Sequence, residues 1–220
     1  MLHDDTINLI RKNLPSNVPF LFKFKPKIFS WKELEFLLNF RPFLTDKRSH
    51  SMGDKNKFSW HHQAWVTDQS TMPPAVIGTE IQKNAFYFQD ASRANKKINA
   101  ICKQIEDAFD ADCDAHIFFN VSNSLEGGFG IHHDSSHNVI IQIEGKSELR
   151  VWEGAVETGS SKPTTEPYIN TILNPGDAVF IPMKIWHSIV SKTQRLSISF
   201  PFGYDSNFKR QDRTWITLAK

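Results

Sequence analysis

Short helical and strand-like patterns of apolar residues follow one another through the N-terminal part of the chain. Residues 3–14 predict a short helix that ends before Pro15, because a proline ring cannot continue a helix. Val18–Phe24 alternates enough to predict a strand. Ser30, followed three residues later by a glutamate, has the form of a capping box and begins an amphipathic helix that should end before Pro42.

The next part of the chain is more polar and less regular. Thr45–Lys57 has no apolar periodicity and contains a glycine, which predicts a mobile loop. Phe58–Val66 resembles a strand, and Thr67–Pro74 resembles a second loop. From Ala91 to Phe109 apolar residues recur at steps of three or four, so this segment predicts one long helix with a packed face.

Beyond that helix the pattern is strand-like. Glycine, proline, asparagine and aspartate separate the short segments Ala115–Val121, His137–Ile143, Glu148–Trp152, Tyr168–Leu173, Ala178–Ile181, Ser188–Val190 and Arg195–Phe200. Short strands without helices between them indicate a barrel or a sandwich. Gly154–Pro167 is the expected flexible insertion in this region.

Composition supports a β-rich, single-domain protein. Eighteen phenylalanines and six tryptophans supply rigid aromatic side chains that suit strands. A chain of 220 residues can bury the core of one domain. The net charge of +2 gives no reason to expect nucleic acid or an anionic membrane as a partner.

Two features bear on the compartment. The first five residues include two acids, where a secretory signal would carry basic residues, and no apolar run is long enough to span a bilayer. The two cysteines, Cys102 and Cys113, suit reduced thiols better than a disulfide framework. We therefore expect a soluble, cytoplasmic protein.

Candidate metal ligands lie in two distant parts of the chain. His132 and Asp134 are two residues apart, so on an extended segment their side chains point the same way, and His187 follows a turn-rich segment much later. A lone histidine–acid pair is more often a hydrogen-bonding pair than a metal site. Two imidazoles and one carboxylate, however, form the ligand set of non-haem Fe(II) oxygenases, which leaves three positions for a chelating co-substrate and O2.

Three segments around these residues carry a family resemblance: Gly128–Asp134, Val139–Gly145 and Asn174–His187. Together they resemble the cupin-like, JmjC-type hydroxylases, a group that includes ribosomal oxygenases and the asparaginyl hydroxylase of the hypoxia-inducible factor. The resemblance covers most of the chain and is strongest from 116 to 202.

The resemblance implies a mainly β fold, the double-stranded β-helix or jelly-roll (cupin) barrel, with N-terminal helices packed outside. We expect one domain over residues 1–220, with a helical and strand cover to about 112 and a barrel core over about 113–204. The resemblance also implies an Fe(II)- and 2-oxoglutarate-dependent hydroxylase. In such an enzyme His132, Asp134 and His187 would hold the iron, and 2-oxoglutarate would be decarboxylated to succinate.

The chain departs from these relatives at the co-substrate anchor. In the relatives a lysine or arginine two residues after the glycine equivalent to Gly145 binds the distal carboxylate of 2-oxoglutarate. This chain has Ser147 there, and Lys146 is one place early, where a strand turns the side chain to the other face. A buried carboxylate still needs a cation, and Arg195 is our candidate.

Arg195 shares a strand face with Ser197 and Ser199, and an arginine followed two residues later by serine resembles the anchor of other 2-oxoglutarate oxygenases. Asn138 and Asn120 are further candidates for contact with the co-substrate. The simpler alternative is that Arg195 lies at the surface of an edge strand, as most arginines do. His137 could be a fourth ligand, which would crowd the co-substrate, or it could line the pocket or face solvent.

Two other functional classes fit the same residues. One is a cupin metalloenzyme that does not use 2-oxoglutarate, such as an isomerase or a cofactor-independent dioxygenase. The other is a non-catalytic metal-binding cupin. Relatives modify protein side chains or small molecules, and we expect this protein to differ from several protein-directed members in lacking their C-terminal dimerisation domain. We therefore expect a small-molecule or peptide substrate, and the sequence leaves the oligomeric state open.

Overall fold

The computed structural model describes residues 1–39, 49–51, 82, 85–88, 91–122, 130–155 and 162–203. Its helices are α1 (Asp4–Asn13), α2 (Trp31–Asn39) and α3 (Lys96–Phe109), and a short 3-10 turn (Ala91–Arg93) precedes α3. The predicted capping box is present at α2, where the Glu33 amide donates to Ser30 Oγ at 3.4 Å. All three predicted helices are therefore found.

The described strands follow the pattern of short, turn-separated segments. They are β1 (Phe20–Lys23), β2 (Ser49–Ser51), β3 (Phe86–Phe88), β4 (His116–Asn120), β5 (His137–Glu144), β6 (Ser147–Ala155), β7 (Ile169–Leu173), β8 (Asp177–Ile181), β9 (Ile185–Ser191) and β10 (Arg195–Phe202). Each of the seven segments predicted after α3 corresponds to one of the strands β4 to β10.

These strands form two antiparallel sheets that enclose an apolar interior. The larger sheet has the order β1-β8-β5-β10-β4-β3-β2 and the smaller has the order β7-β6-β9. One buried cluster takes side chains from both sheets: Ile140, Leu149, Val151, Leu173, Val179, Ile181 and Ile185. The expected mainly β, double-stranded β-helix architecture is confirmed.

The other face of the larger sheet packs against the helices. On β10, Leu196, Ile198 and Phe200 belong to this second buried cluster, together with Ile101 and Ile105 of α3. The residues between them on β10 therefore face the space between the two sheets. This alternation assigns each strand residue either to the helix side or to the barrel interior.

One sequence prediction in the N-terminal half needs correction, and two others fall on residues that the structure does not describe. Thr45–Lys57 was expected to be a loop, but Ser49–Ser51 forms β2 and pairs with β3, which the pattern did not predict. Both strands are three residues long, too short to produce a readable period. The strand predicted at Phe58–Val66 and the loop predicted at Thr67–Pro74 lie outside the described residues.

Two further observations concern the helices and the thiols. In the part of the chain that the structure describes, no helix has the length and apolar character needed to cross a membrane. Cys102 and Cys113 are both buried, and neither thiol forms a disulfide bond.

Candidate active site

The backbones of the two histidine-bearing segments are joined directly. The His132 amide donates to the His187 carbonyl at 2.9 Å, and the His187 amide donates to the His132 carbonyl at 2.8 Å. The Lys184 amide donates to the Asp134 carbonyl at 2.9 Å, which extends the pairing into the turn before β9. This two-point connection brings the two parts of the predicted ligand set together.

Each imidazole is oriented by a backbone carbonyl. His132 Nδ1 lies 3.0 Å from the Gly130 carbonyl, and His187 Nδ1 lies 2.9 Å from the Ile185 carbonyl. Because a carbonyl can only accept, each Nδ1 carries the proton, and each Nε2 is left to face the centre of the site. Carbonyl-oriented histidines of this kind are the usual arrangement of metal ligands.

Asp134 lies between the two imidazoles. Its Oδ1 is 3.7 Å from His132 Nε2, and its Oδ2 is 3.5 Å from His187 Nε2. Three potential metal-ligand atoms, one from each residue, all lie within 4.8 Å of one another. His187 is almost fully buried, whereas the side chains of His132 and Asp134 are 31% and 34% exposed. The cluster is therefore open to solvent on one side.

The three groups shift one another's proton affinities. Burial, with a contribution from His187, lowers the pKa of His132 to about 4. Burial opposes ionisation of Asp134, but the hydrogen bond and charge of His187 outweigh it and lower the pKa of Asp134 to about 2. In turn, burial lowers the pKa of His187 but Asp134 raises it more, so the net shift is upward. Without metal, His187 and Asp134 form the more strongly coupled pair.

Asn138 and Ser199 lie directly behind the carboxylate. Asn138 Nδ2 donates to Asp134 Oδ2 at 2.6 Å, and Ser199 Oγ donates to Asn138 Oδ1 at 2.7 Å. Both residues are 4% exposed. The sequence singled out Asn138 for the co-substrate, but Ser199 only as a residue on the face of Arg195. Its contact with Asn138 depends on the register between β5 and β10, which no local pattern encodes.

Arg195, predicted as the co-substrate anchor, is buried at 2% exposure on the barrel side of β10. It pairs in register with Asn120 of β4, and its guanidinium carbon lies 5.8 Å from the ring centre of Phe118. Burial lowers the pKa of Arg195 to about 10. Its Nε and the Asn120 Oδ1 are buried atoms without a hydrogen-bond partner. The structure therefore excludes the surface alternative for Arg195.

The relatives' anchor position is neutral here. Ser147 is fully buried, and its hydroxyl donates to Gln142 Oε1 at 2.9 Å. Lys146, by contrast, is exposed. Gly145 before it has a φ of +72°, and an added Cβ would stand 1.7 Å from the Gln194 carbonyl oxygen, so the turn requires glycine. Of the two cations considered, Arg195 alone has its side chain buried.

His137 lies away from the ligand cluster. Its ring packs 5.4 Å from Phe202 and 6.2 Å from Phe180, both of which belong to the helix-side cluster. Its Nδ1 accepts a hydrogen bond from the Met183 amide at 3.1 Å, and burial lowers its pKa. The expectation that His137 lines the pocket is wrong, because β5 alternation turns it to the opposite face from Asn138. On that face its side chain is only partly buried.

His116, for which the sequence gave no signal, is placed near the cluster. It lies on the barrel side of β4, in register with Ser199, and its Nε2 is 3.2 Å from Asp114 Oδ2. Its positive charge would contribute to lowering the pKa of Asp134. His116 and Phe118 are only partly buried, whereas Ile117 and Phe119 on the opposite face are fully buried. The accessible part of the interior therefore lies along β4.

A family model for the JmjC domain matches residues 90–209, which include all three members of the cluster. The chain belongs to the JmjC domain family. The resemblance first suggested by three sequence segments is thereby confirmed, and the matched region of this JmjC domain contains α3 and the strands β4 to β10.

Curated relatives of this JmjC domain are distant in sequence. The bifunctional lysine-specific demethylase and histidyl-hydroxylase NO66 of Drosophila simulans is 22% identical over 137 residues, which are 58% of this chain and 16% of that protein. The lysine-specific demethylase JMJ30 of Arabidopsis thaliana is 28% identical over 108 residues, 35% of this chain and 25% of that protein. The chain thus matches at most a quarter of the length of these two proteins.

Solved structures show the same fold. The Escherichia coli protein YcfD aligns with a TM-score of 0.64 at 19% identity, over 91% of this chain and 53% of that chain. YcfD, a ribosomal oxygenase, has also been solved in complex with cobalt and 2-oxoglutarate, and that structure aligns with a TM-score of 0.60 at 21% identity. It covers 86% of this chain, which spans about half (49%) of the YcfD chain.

Proposed function

We propose that this chain is an Fe(II)- and 2-oxoglutarate-dependent oxygenase that hydroxylates a small-molecule or peptide substrate. The observation that carries the proposal is the meeting of His132, Asp134 and His187 at one end of a barrel interior that also holds the buried cation Arg195. Membership of the JmjC domain family and the likeness in fold to YcfD, solved with cobalt and 2-oxoglutarate, support it.

The ligand cluster fits a divalent iron ion. The two Nε2 atoms and one carboxylate oxygen would be its protein ligands, and the mixture of imidazole and carboxylate suits iron with three further positions open. Bound Fe(II) would supply the O2 chemistry that couples decarboxylation of 2-oxoglutarate, to succinate and CO2, to hydroxylation of a substrate C–H bond. The chain's own part is to orient the ligands through the Gly130 and Ile185 carbonyls and to place the substrate.

Arg195 fits the distal carboxylate of 2-oxoglutarate. A guanidinium with a buried, unsatisfied Nε is costly unless an anion pairs with it, and a planar fork matches a carboxylate in a bidentate way. Asn120 Oδ1 could accept a hydrogen bond from the guanidinium, and the Ser197 hydroxyl, buried on the same face, could donate to the carboxylate. Asn138, nearer the ligand cluster, could contact the opposite end of the co-substrate with its second amide hydrogen.

The substrate would approach along β4. His132 and Asp134 are 31% and 34% exposed, His116 and Phe118 of β4 are only partly buried, and apolar side chains from both sheets form a buried cluster. An opening between these two pairs of residues would admit the substrate. This opening offers one aromatic wall and one imidazole held by Asp114. Such a mixed surface suits the flexible side chain of a peptide or a compact polar small molecule.

The proposal is tested by following the fate of 2-oxoglutarate. The protein is incubated in air with Fe(II), ascorbate and 2-oxoglutarate labelled at C1, together with a pool of amino acids and short peptides as acceptors. We expect labelled CO2 and an equal amount of succinate, both lost in Asp134→Ala. A wild-type protein that binds iron and 2-oxoglutarate yet releases no more CO2 than Asp134→Ala would contradict the proposal.

The second candidate is a cupin metalloenzyme that does not use 2-oxoglutarate. The buried Ser147–Gln142 hydrogen bond favours it, because it leaves the relatives' anchor position without a charge. The two candidates differ in whether 2-oxoglutarate binds to the iron-loaded protein. Isothermal titration of the anaerobic iron complex with 2-oxoglutarate distinguishes them, since only the oxygenase should bind it tightly.

A further inference from the structure

We propose that Ser199 and Asn138 form a hydrogen-bonded relay that keeps Asp134 a one-oxygen ligand, and so keeps three positions on the metal available. The inference rests on the proposed function and adds a role for two residues behind the ligand cluster. Its structural basis is the chain of contacts from Ser199 Oγ through the Asn138 amide to Asp134 Oδ2.

The contacts are short and shielded from water. The two hydrogen bonds measure 2.7 Å and 2.6 Å, and both Ser199 and Asn138 are 4% exposed. The residues come from neighbouring strands of the larger sheet, β10 and β5, whose pairing places Ser199 opposite Ile140 and Pro201 opposite Asn138. A relay between two paired strands has little freedom to rearrange, because moving either residue would disturb the sheet.

Hydrogen-bond chemistry fixes the direction of the relay. An ionised carboxylate can only accept, so the Asn138 amide must turn its NH2 group toward Asp134. Its carbonyl oxygen is then turned toward β10, where the Ser199 hydroxyl donates to it. The reverse orientation of the amide would bring two acceptors together at Asp134. Ser199 therefore favours the one amide orientation that serves the carboxylate.

The consequence concerns the number of positions on the metal. An octahedral ion has six positions, so two imidazoles and one carboxylate oxygen leave three, which suffice for a bidentate co-substrate and O2. A carboxylate that bound through both oxygens would leave only two. Both carboxylate oxygens lie near an imidazole, with Oδ1 3.7 Å from His132 Nε2 and Oδ2 3.5 Å from His187 Nε2. Asn138 distinguishes them, because its hydrogen bond occupies Oδ2 and holds the carboxylate plane, so that Oδ1 is the oxygen presented to the metal.

The test compares Asn138→Ala and Ser199→Ala with Ser191→Ala. Ser191 is a fully buried serine at the far end of β9, four residues from His187, so it controls for the loss of a buried hydroxyl. Anaerobic iron titrations give the affinity, and the electron paramagnetic resonance signal of the nitric oxide adduct, formed on the iron–2-oxoglutarate complex, reports the position left for O2. Circular dichroism verifies that each variant is folded.

We expect Asn138→Ala to bind iron roughly 10–100-fold more weakly, the usual effect of losing a group that holds a metal ligand. At equal loading with iron and 2-oxoglutarate, its nitric oxide signal per iron should fall. Ser199→Ala should shift both readouts in the same direction by less, and Ser191→Ala should match the wild type.

Failure of the relay and failure of the proposed function give different results. If the wild-type iron complex binds 2-oxoglutarate and nitric oxide, and Asn138→Ala matches it in both affinity and signal, the relay is wrong. If the wild-type iron complex binds no 2-oxoglutarate, the proposed function is wrong and the relay fails with it.

Discussion

His132 and His187 are paired through their backbones, each amide donating to the carbonyl of the other at 2.9 Å and 2.8 Å. The pairing connects the end of a loop before β5 to the start of β9, and it does not depend on either imidazole. The two histidines are therefore brought together by the fold itself, and a metal ion would add a second link between segments that already touch.

This arrangement predicts that the loss of a metal-binding imidazole does not destabilise the metal-free fold. Replacing the imidazole in His132→Ala should abolish tight metal binding but leave the metal-free melting temperature close to that of the wild type. A metal at about 100 times its dissociation constant should stabilise the wild type by about 2.7 kcal/mol, and the variant by far less. Thermal unfolding with and without Co(II) measures both. An equal metal-induced shift in His132→Ala would contradict the predicted ligand set.

Metal affinity should depend on pH through His187 more than through His132. The metal needs an unprotonated Nε2, and Asp134 raises the pKa of His187 above 6.5, whereas burial and His187 lower that of His132 to about 4. Metal affinity should be highest above the raised pKa of His187, where the imidazole is unprotonated. It should fall by up to about tenfold for each pH unit below that pKa. Co(II) titrations between pH 8 and 5.5 measure the effect. Equal metal affinity at pH 8 and pH 5.5 would contradict the raised pKa that Asp134 gives to His187.

The anchor role of Arg195 can be separated from the metal site. Removing the guanidinium in Arg195→Met should cost about 1.5–3 kcal/mol of co-substrate binding, the usual contribution of a charged hydrogen bond, or roughly 10–100-fold in affinity. Iron affinity should not change. Arg150→Met, which removes an exposed arginine of β6, is the matched control. Titration of the anaerobic iron complex with 2-oxoglutarate measures the loss, and unchanged affinity in Arg195→Met would mean that another group binds the distal carboxylate.

Asn95 should be important for stability, because it connects α3 to the segment before α2. Its Oδ1 accepts from the Ile98 amide at 2.9 Å, as an N-cap does, and its Nδ2 donates to the Ile28 carbonyl and to Glu33. Asn95→Ala should cost about 1–3 kcal/mol of unfolding free energy. Asn95→Ser keeps a cap acceptor but loses both amide donors, so its free energy of unfolding should lie between those of the wild type and Asn95→Ala.

Urea unfolding of the wild type and the two Asn95 variants ranks their free energies of unfolding. If Asn95→Ala unfolds at the same urea concentration as the wild type, the cap and the two amide contacts contribute nothing. If Asn95→Ser is no more stable than Asn95→Ala, the stabilisation comes from the amide donors alone and the helix cap is not important.

The barrel was predictable because its strands carry strong local signals. Turn residues separate β4 to β10, and their alternating apolar residues have clear inner and outer faces. The spacing of His132 and Asp134 also indicates convergence, since residues two apart on an extended segment point the same way. These features depend only on neighbouring residues, so the sequence displays them directly.

The missed features depend on register between distant strands. Ser199 reaches Asn138, and His116 faces the ligand cluster, because of how β4, β5 and β10 are aligned. The position of His137 was misjudged because the alternation of β5 begins only at that residue. The strand Ser49–Ser51 was missed because its pairing partner lies far along the chain. Long-range pairing of this kind leaves no local trace.

The most direct test of the account is an anaerobic titration of the protein with Fe(II) and then 2-oxoglutarate, followed by visible absorption. Under the proposed function, His132, Asp134 and His187 bind one iron ion and leave room for a chelating co-substrate. It predicts a weak charge-transfer band that saturates at one iron and one 2-oxoglutarate per chain and is absent in His132→Ala. Iron binding by the wild type without any such band, or an undiminished band in His132→Ala, would contradict it.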